Sequence, residues 1–240
     1  EHTDPDIVLR PPAMKFHQPI LDNLRRVGVV VTSETELFFD FCPCRTIGIT
    51  GSDGKTTTTT LIAEILKEAG HRVHLGGNIG RPLMPIIEDI RDHDFAVAEL
   101  SSFQLISMRQ SPNIAVITNI TPNHLDAHKD MQEYVDAKLN ILAHQDAFSR
   151  TVLGVDNDLC AQIAQSGKVR GHLFEFSVKH PVRTGAYLGE DGIIYFSLNG
   201  KAQKVMHASE IRLPGLHNIQ NYLAAICAVW GYADRDAIYN

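Results

Sequence analysis

Apolar residues along this chain gather into short blocks that alternate with longer stretches of helical spacing. Residues 46–50 (TIGIT), 95–99 (FAVAE), 114–119 (IAVITN) and 151–155 (TVLGV) have the length and composition of buried strands. The first is followed by a Gly-rich turn and a predicted helix over 55–69, with Gly70 as its stop. Helical spacing recurs over 131–144, 158–165 and 218–230; in the last, Leu223, Ala224, Ile226 and Val229 take core-facing positions. Residues 72–75 read as another short strand. Upstream, 6–10 reads as a strand stopped by Pro11 and Pro12, 20–26 as a short helix, and the β-branched run 29–31 as a buried strand. Near the end the period becomes two: residues 185–198 alternate around Asp191-Gly192, which predicts a hairpin.

This order predicts an α/β fold, a mostly parallel sheet with helices on both faces, plus a small antiparallel β addition. In open sheets of this kind ligands bind beyond the carboxyl ends of the strands. The polar residues after positions 50, 99 and 119 are therefore where chemistry is expected.

Composition narrows the function classes. Apolar residues make up 44% and charged residues 21%, as in an ordinary globular protein, and the net charge is −6. That balance argues against a duplex nucleic-acid binder, while leaving room for a locally basic site for a phosphorylated ligand. With no run of about 18 apolar residues, no membrane span is expected. The opening EHTDPD is unlike a signal peptide, so a cytoplasmic protein is expected. It carries no initiating methionine, which suggests a start inside a longer protein. Of the four cysteines, Cys42 and Cys44 have the wrong spacing for a zinc knuckle or a thioredoxin motif; with Cys160 and Cys227 they read as reduced thiols.

The strongest motif is Gly48-Ile-Thr-Gly51-Ser52-Asp53-Gly54-Lys55-Thr56-Thr57, between a predicted strand and a predicted helix. Glycines let successive N–H groups curl around an anion, and the helix adds its positive end. Lys55 brings a full charge for the β and γ phosphates, and Thr56 a hydroxyl for Mg²⁺. The glycine spacing departs from the usual phosphate loop, which would have a glycine at Ile49. Five consecutive threonines, 56–60, are poor helix formers, so nucleotide binding explains them better than folding does, with packing open for Thr58 to Thr60.

Six ordered segments resemble the Mur ligases, a family of ATP-dependent amide ligases: the loop 51–57, Gly76-Gly-Asn78-Ile-Gly80, Glu99-Leu-Ser101-Ser-Phe-Gln104, Asn119-Ile-Thr-Pro-Asn-His124-Leu-Asp126, Tyr134-x-x-Ala-Lys138, and Gly215-Leu-His217-Asn218-x-x-Asn221. The segment from Glu99 is similar to the branch of the family that adds D-glutamate. The resemblance implies ATP as nucleotide, UDP-N-acetylmuramoyl-L-alanine and D-glutamate as substrates, an acyl-phosphate intermediate, two Mg²⁺ ions, and a role in peptidoglycan precursor synthesis as a monomer. It implies catalytic or metal roles for Lys55, Thr56, Glu99, His124 and Lys138, with Lys138 carbamylated. Asn218 and Asn221 would lie by the nucleotide, Asn78 and Ser101 by the UDP-sugar. Taken singly, Glu99 reads better as a solvated strand-end carboxylate; His124 also reads as a helix-capping or hydrogen-bonded loop histidine, Lys138 as an exposed helical lysine and Asn218 as a helix cap. A sister amide ligase, or a non-catalytic nucleotide-binding module, stays as an alternative.

Three departures from the family pattern stand out. Pro11 lies where a Ser-Pro-Gly type turn is usual, Asn123 replaces an aspartate, and Asp53 stands where asparagine is common. By the same resemblance, residues 1–33 would end a UDP-binding N-terminal domain and 34–240 form the central ATP-binding domain. A C-terminal domain would be absent, leaving this fragment poorly active alone.

Overall fold

The computed structural model describes residues 5–11, 14–121 and 129–239. A two-stranded parallel ribbon comes first, β1 (Ile7–Leu9) with β2 (Val30–Thr32), bridged by helix α1 (Pro19–Arg26). Val30 is 44% exposed. The expectation of a buried strand over 29–31 is corrected: paired only with the three-residue β1, that run stays exposed or half-buried. Arg10, buried at the end of β1, donates to the Met14 and Phe103 carbonyls, so it ties the ribbon to the main body. Helix α2 (Glu34–Phe41), capped by the Ser33 side chain, leads into the main sheet.

That sheet has nine strands in the order β11-β10-β9-β8-β7-β6-β3-β5-β4. Its parallel part comprises β3 (Arg45–Thr50), β4 (Val73–Gly77), β5 (Phe95–Glu99), β6 (Ile114–Ile117), β7 (Arg150–Gly154) and β8 (His172–Ser177). β9 (Gly185–Leu188) runs parallel to β8, and the antiparallel addition is β10 (Ile193–Leu198) and β11 (Lys201–His207). Asp191-Gly192 forms the expected first turn. The second turn is Asn199-Gly200, both with positive φ, an Asn-Gly hairpin signal that also lies in the sequence.

Strand alternation divides the core in two. From β5, Phe95 and Val97 face one helical layer while Ala96 and Ala98 face the other. The first layer holds α3 (Lys55–Glu68) and α7 (Leu216–Val229), and α8 (Arg235–Tyr239) joins it through Ile238. The second holds α2, α5 (Met131–Ala143) and α6 (Asp158–Gln165), with the short α4 (Ser102–Leu105). The fold is the α/β architecture expected. Among the described residues no helix is long and apolar enough to cross a membrane.

Candidate active site

β3 sits between β6 and β5, with β4 beyond β5, so the chain passes to opposite sides of β3 at this point of the sheet. Such a reversal opens a crevice at the carboxyl edge. The loop that fills it runs from Gly51 to Gly54, directly before α3. Gly54, with φ +79°, is the residue before that helix, and an added Cβ would run into Asn221 Oδ1; at Gly51 it would meet Thr118 Oγ1. Both positions need glycine because α7 and the end of β6 crowd the loop.

The loop is held from three sides. Thr118 Oγ1 donates to the Asp53 carbonyl (2.6 Å), and the Asn119 side chain accepts from the Asp53 N–H (3.0 Å). Ser52 Oγ donates to the Thr121 carbonyl and contacts the buried Tyr134 hydroxyl, 2.9 Å each. Within α3, Thr59 and Thr60 donate to the carbonyls of Lys55 and Thr56, four residues back, and Thr58 donates to Asn221 Oδ1 (3.3 Å). Packing and back-bonding therefore account for Thr58 to Thr60, while Thr56 and Thr57 stay at the mouth.

Two amines share one carbonyl at the loop. Lys55 Nζ donates to Gly51 O (3.1 Å) and Ser52 O (3.0 Å); Lys138 Nζ, reaching from α5, donates to Gly51 O at 2.7 Å. The exposed-helix alternative for Lys138 is excluded, since the residue is 2% exposed. Burial first, then the like charge of Lys55, pushes its pKa down to about 7. Its amine also stands 4.7 Å from the centre of the Tyr134 ring.

On the other flank, Glu99 ends β5 as a 2% exposed carboxylate. Thr56 Oγ1 donates to it at 2.7 Å and Asn78 Nδ2 at 3.0 Å, and no cation pairs with it among the described residues. A buried carboxylate partnered only by neutral donors suits a hard cation. Thr56 and Glu99 thus fit one Mg²⁺ completed by phosphate oxygens. Among the described residues no group of three or more His, Cys, Asp or Glu gathers as a metal cage. His124, like Asn123, lies outside the described residues.

Asn218 and Asn221 share a face of α7, 3.4 Å apart, and Asn218 anchors to the Pro214 carbonyl; the residue capping α7 is Gly215, not Asn218. With Asp53 and Gly54, Asn221 lines a cavity of ≈ 300 Å³. Asp156, Asn157, Lys179, His217 and Gln220 line it too, and sequence reasoning missed all five as site residues. Asp156 accepts from Ser177, the Val178 N–H and Gln220. Its position just past the end of β7 was the available signal. Asn78 borders a separate cavity of ≈ 250 Å³ with Thr35, Phe38 and Gln104. Ser101 caps α4 in a reciprocal pair with Gln104, so its hydroxyl already has a structural duty. A cavity of ≈ 650 Å³ lies at the opposite edge, where β3, β7 and β8 begin, and none of the expected residues lines it.

The Mur ligase middle domain, as a family pattern, matches residues 49–229. The chain belongs to the Mur ligase family. Among similar Mur ligases, the UDP-N-acetylmuramoylalanine–D-glutamate ligase of Acetivibrio thermocellus is 48% identical over 234 residues, 97% of this chain and 49% of the relative. That of Clostridium novyi is 46% identical over 224 residues, 93% of this chain and 47% of the relative. The chain spans about half the length of the curated relatives it matches. Among solved structures, a UDP-N-acetylmuramoyl-L-alanyl-D-glutamate–2,6-diaminopimelate ligase superposes with TM-score 0.67 at 20% identity, covering 97% of this chain and 61% of that one. MurF from Acinetobacter baumannii gives 0.63 at 20% identity, over 88% of this chain and 50% of that one. Those two likenesses concern the fold.

Proposed function

We propose that this chain is the ATP-binding part of a ligase that adds D-glutamate to UDP-N-acetylmuramoyl-L-alanine through an acyl phosphate. One observation carries the reading: Lys55 and Lys138 converge on the Gly51 carbonyl, while Thr56, on the helix that follows the loop, donates to Glu99 at the end of β5. In this scheme the alanyl carboxylate attacks the γ phosphorus, the bond to the β-phosphate oxygen breaks, and ADP leaves. The D-glutamate amine then attacks the acyl carbon, phosphate departs, and the amine proton is lost. Both reactants are anionic, so cationic groups at the transferred phosphoryl govern the rate.

Lys55 offsets phosphate charge, and the loop N–H groups with the end of α3 orient it. Mg²⁺ bound by Thr56 and Glu99 would supply further charge neutralisation. Asn218 and Asn221 border the nucleotide; Asn78, and Ser101 beyond its capping bond, serve the UDP-sugar.

Lys138 is the residue for carbamylation. A buried amine with its pKa near 7 is substantially neutral at neutral pH, and only the neutral amine adds CO₂, releasing one proton to leave an anionic carbamate. That anion would be attracted to the Lys55 ammonium beside it. ¹³C NMR after ¹³C-bicarbonate should show a carbamate signal that Lys138→Ala lacks.

The decisive assay uses the full-length protein: ADP release should require both UDP-N-acetylmuramoyl-L-alanine and D-glutamate. Equal turnover with a diamino acid or a dipeptide would instead favour a sister ligase. Nucleotide binding without any ADP release would favour a non-catalytic module.

A further inference from the structure

Cys42, Pro43 and Cys44 join α2 to β3, at the sheet edge away from the phosphate loop. Proline disfavours helical backbone in the residue before it. Cys42, the C-cap of α2, is accordingly extended, with φ −64° and ψ 119°. In extended chain, residues two apart project to the same side. The two sulfurs therefore meet at 3.5 Å, and Cys44 Sγ also lies 3.6 Å from the Arg45 carbonyl. Cys42 is half-buried and Cys44 buried. Pro43 and Cys44 line a cavity of ≈ 290 Å³ with Arg45, Asp94 and Asn113; Cys42 does not line it and is the more exposed residue of the pair.

We propose that Cys42 and Cys44 form a peroxide-reactive dithiol, a site of reversible oxidation in which Cys42 is the attacking sulfur and Cys44 the resolving one. The roles follow from the pair's asymmetry. The hydrogen bond from Cys44 holds the Cys42 thiol below the usual range, while that bond, burial and the nearby Asp94 carboxylate hold Cys44 above it. In the first step the Cys42 thiolate attacks one hydroperoxide oxygen; an S–O bond forms, the O–O bond breaks, and the departing oxygen leaves with the electron pair as water once protonated. In the second step Cys44 sulfur attacks the Cys42 sulfenic acid; the S–S bond forms at about 2.05 Å, the S–O bond breaks, and the hydroxyl leaves as water with the Cys44 proton. Two thiols are oxidised and one hydrogen peroxide becomes two waters. The other two cysteines are unsuited to this chemistry, because burial pushes Cys160 and Cys227 up to about 12.

Trypsin supplies a clean readout, since residues 27–45 form one peptide with Cys42 and Cys44 as its cysteines. The folded chain is exposed to hydrogen peroxide, alkylated with iodoacetamide and mapped by mass spectrometry. The expected result is a 27–45 peptide lighter by two hydrogens, unalkylated and restored by dithiothreitol. It should form more than about tenfold faster than oxidation at Cys160 or Cys227. Cys44→Ser should stop at a dimedone-reactive sulfenic acid on Cys42. The proposal is overturned if the wild-type peptide stays alkylated at both cysteines after Cys160 or Cys227 has been oxidised. It is equally overturned if Cys42 passes to the sulfinic acid while Cys44 remains free.

Discussion

Burial of Lys138 has a measurable pH signature. Its pKa falls from an ordinary 10.5 to about 7 on folding, so between those values the unfolded chain binds more protons than the native one. Stability contributed through this group therefore rises with pH across the window from about 7 to about 10.5, and shows no slope below it. Thermal melts of wild type and Lys138→Met should differ accordingly: the wild type gains on the variant as pH climbs from 7 to 10. Parallel curves would mean that the amine is solvated. In the full-length enzyme, Lys138→Ala should nearly abolish turnover, and added bicarbonate should not restore it; steady-state ADP release measures this. Tyr134→Phe removes the hydroxyl that meets Ser52 and should cost about 1 kcal/mol by chemical denaturation.

At the scale of elements, the loop and the helix after it stand or fall together. Gly54→Ala places a Cβ at φ +79° and against Asn221 Oδ1. The backbone term alone costs about 1–2 kcal/mol, and relieving the clash must turn the Asn221 side chain away from the loop. Weakened ATP binding together with a lowered melting temperature is the expected outcome; unchanged binding by calorimetry would show that Asn221 and the loop are not coupled. The elements themselves were largely legible, because strand length and helix spacing are local properties. β5 begins and ends where its apolar run does, and α3 begins at Lys55. What escaped was set by tertiary context. The run 29–31 looked buried because its composition says nothing about pairing with a single short strand. β11 escaped although Asn199-Gly200 announced its turn. Thr58 to Thr60 were left open between function and packing, because the bonds of Thr59 and Thr60 to carbonyls four residues back, and of Thr58 to Asn221, are invisible without coordinates.

For the whole molecule, the sheet brings scattered positions together around one loop. Lys55, Glu99 and Lys138 lie on α3, β5 and α5, elements of both layers, and the carboxyl edge of β3 is the place where these meet. Strand ends pointed to Lys55 and Glu99, whereas Lys138, in the middle of α5, was named through the family resemblance alone. The sequence did not show that Asp156 and Lys179 become neighbours of Asn221, which happens when β7, β8 and α7 pack. Nor could it reveal that Ser101 and Gln104 satisfy each other at a helix cap. The central claim is that the Gly51–Gly54 loop, Lys55 and the Thr56–Glu99 pair make one Mg²⁺-dependent triphosphate site. Isothermal titration of the chain with ATP, with and without Mg²⁺, in wild type, Lys55→Ala and Glu99→Ala tests it most directly. The expected result is binding that needs Mg²⁺ and weakens by about tenfold or more, roughly 1.4 kcal/mol, in each variant; equal affinity in all three proteins, with or without the metal, would contradict it.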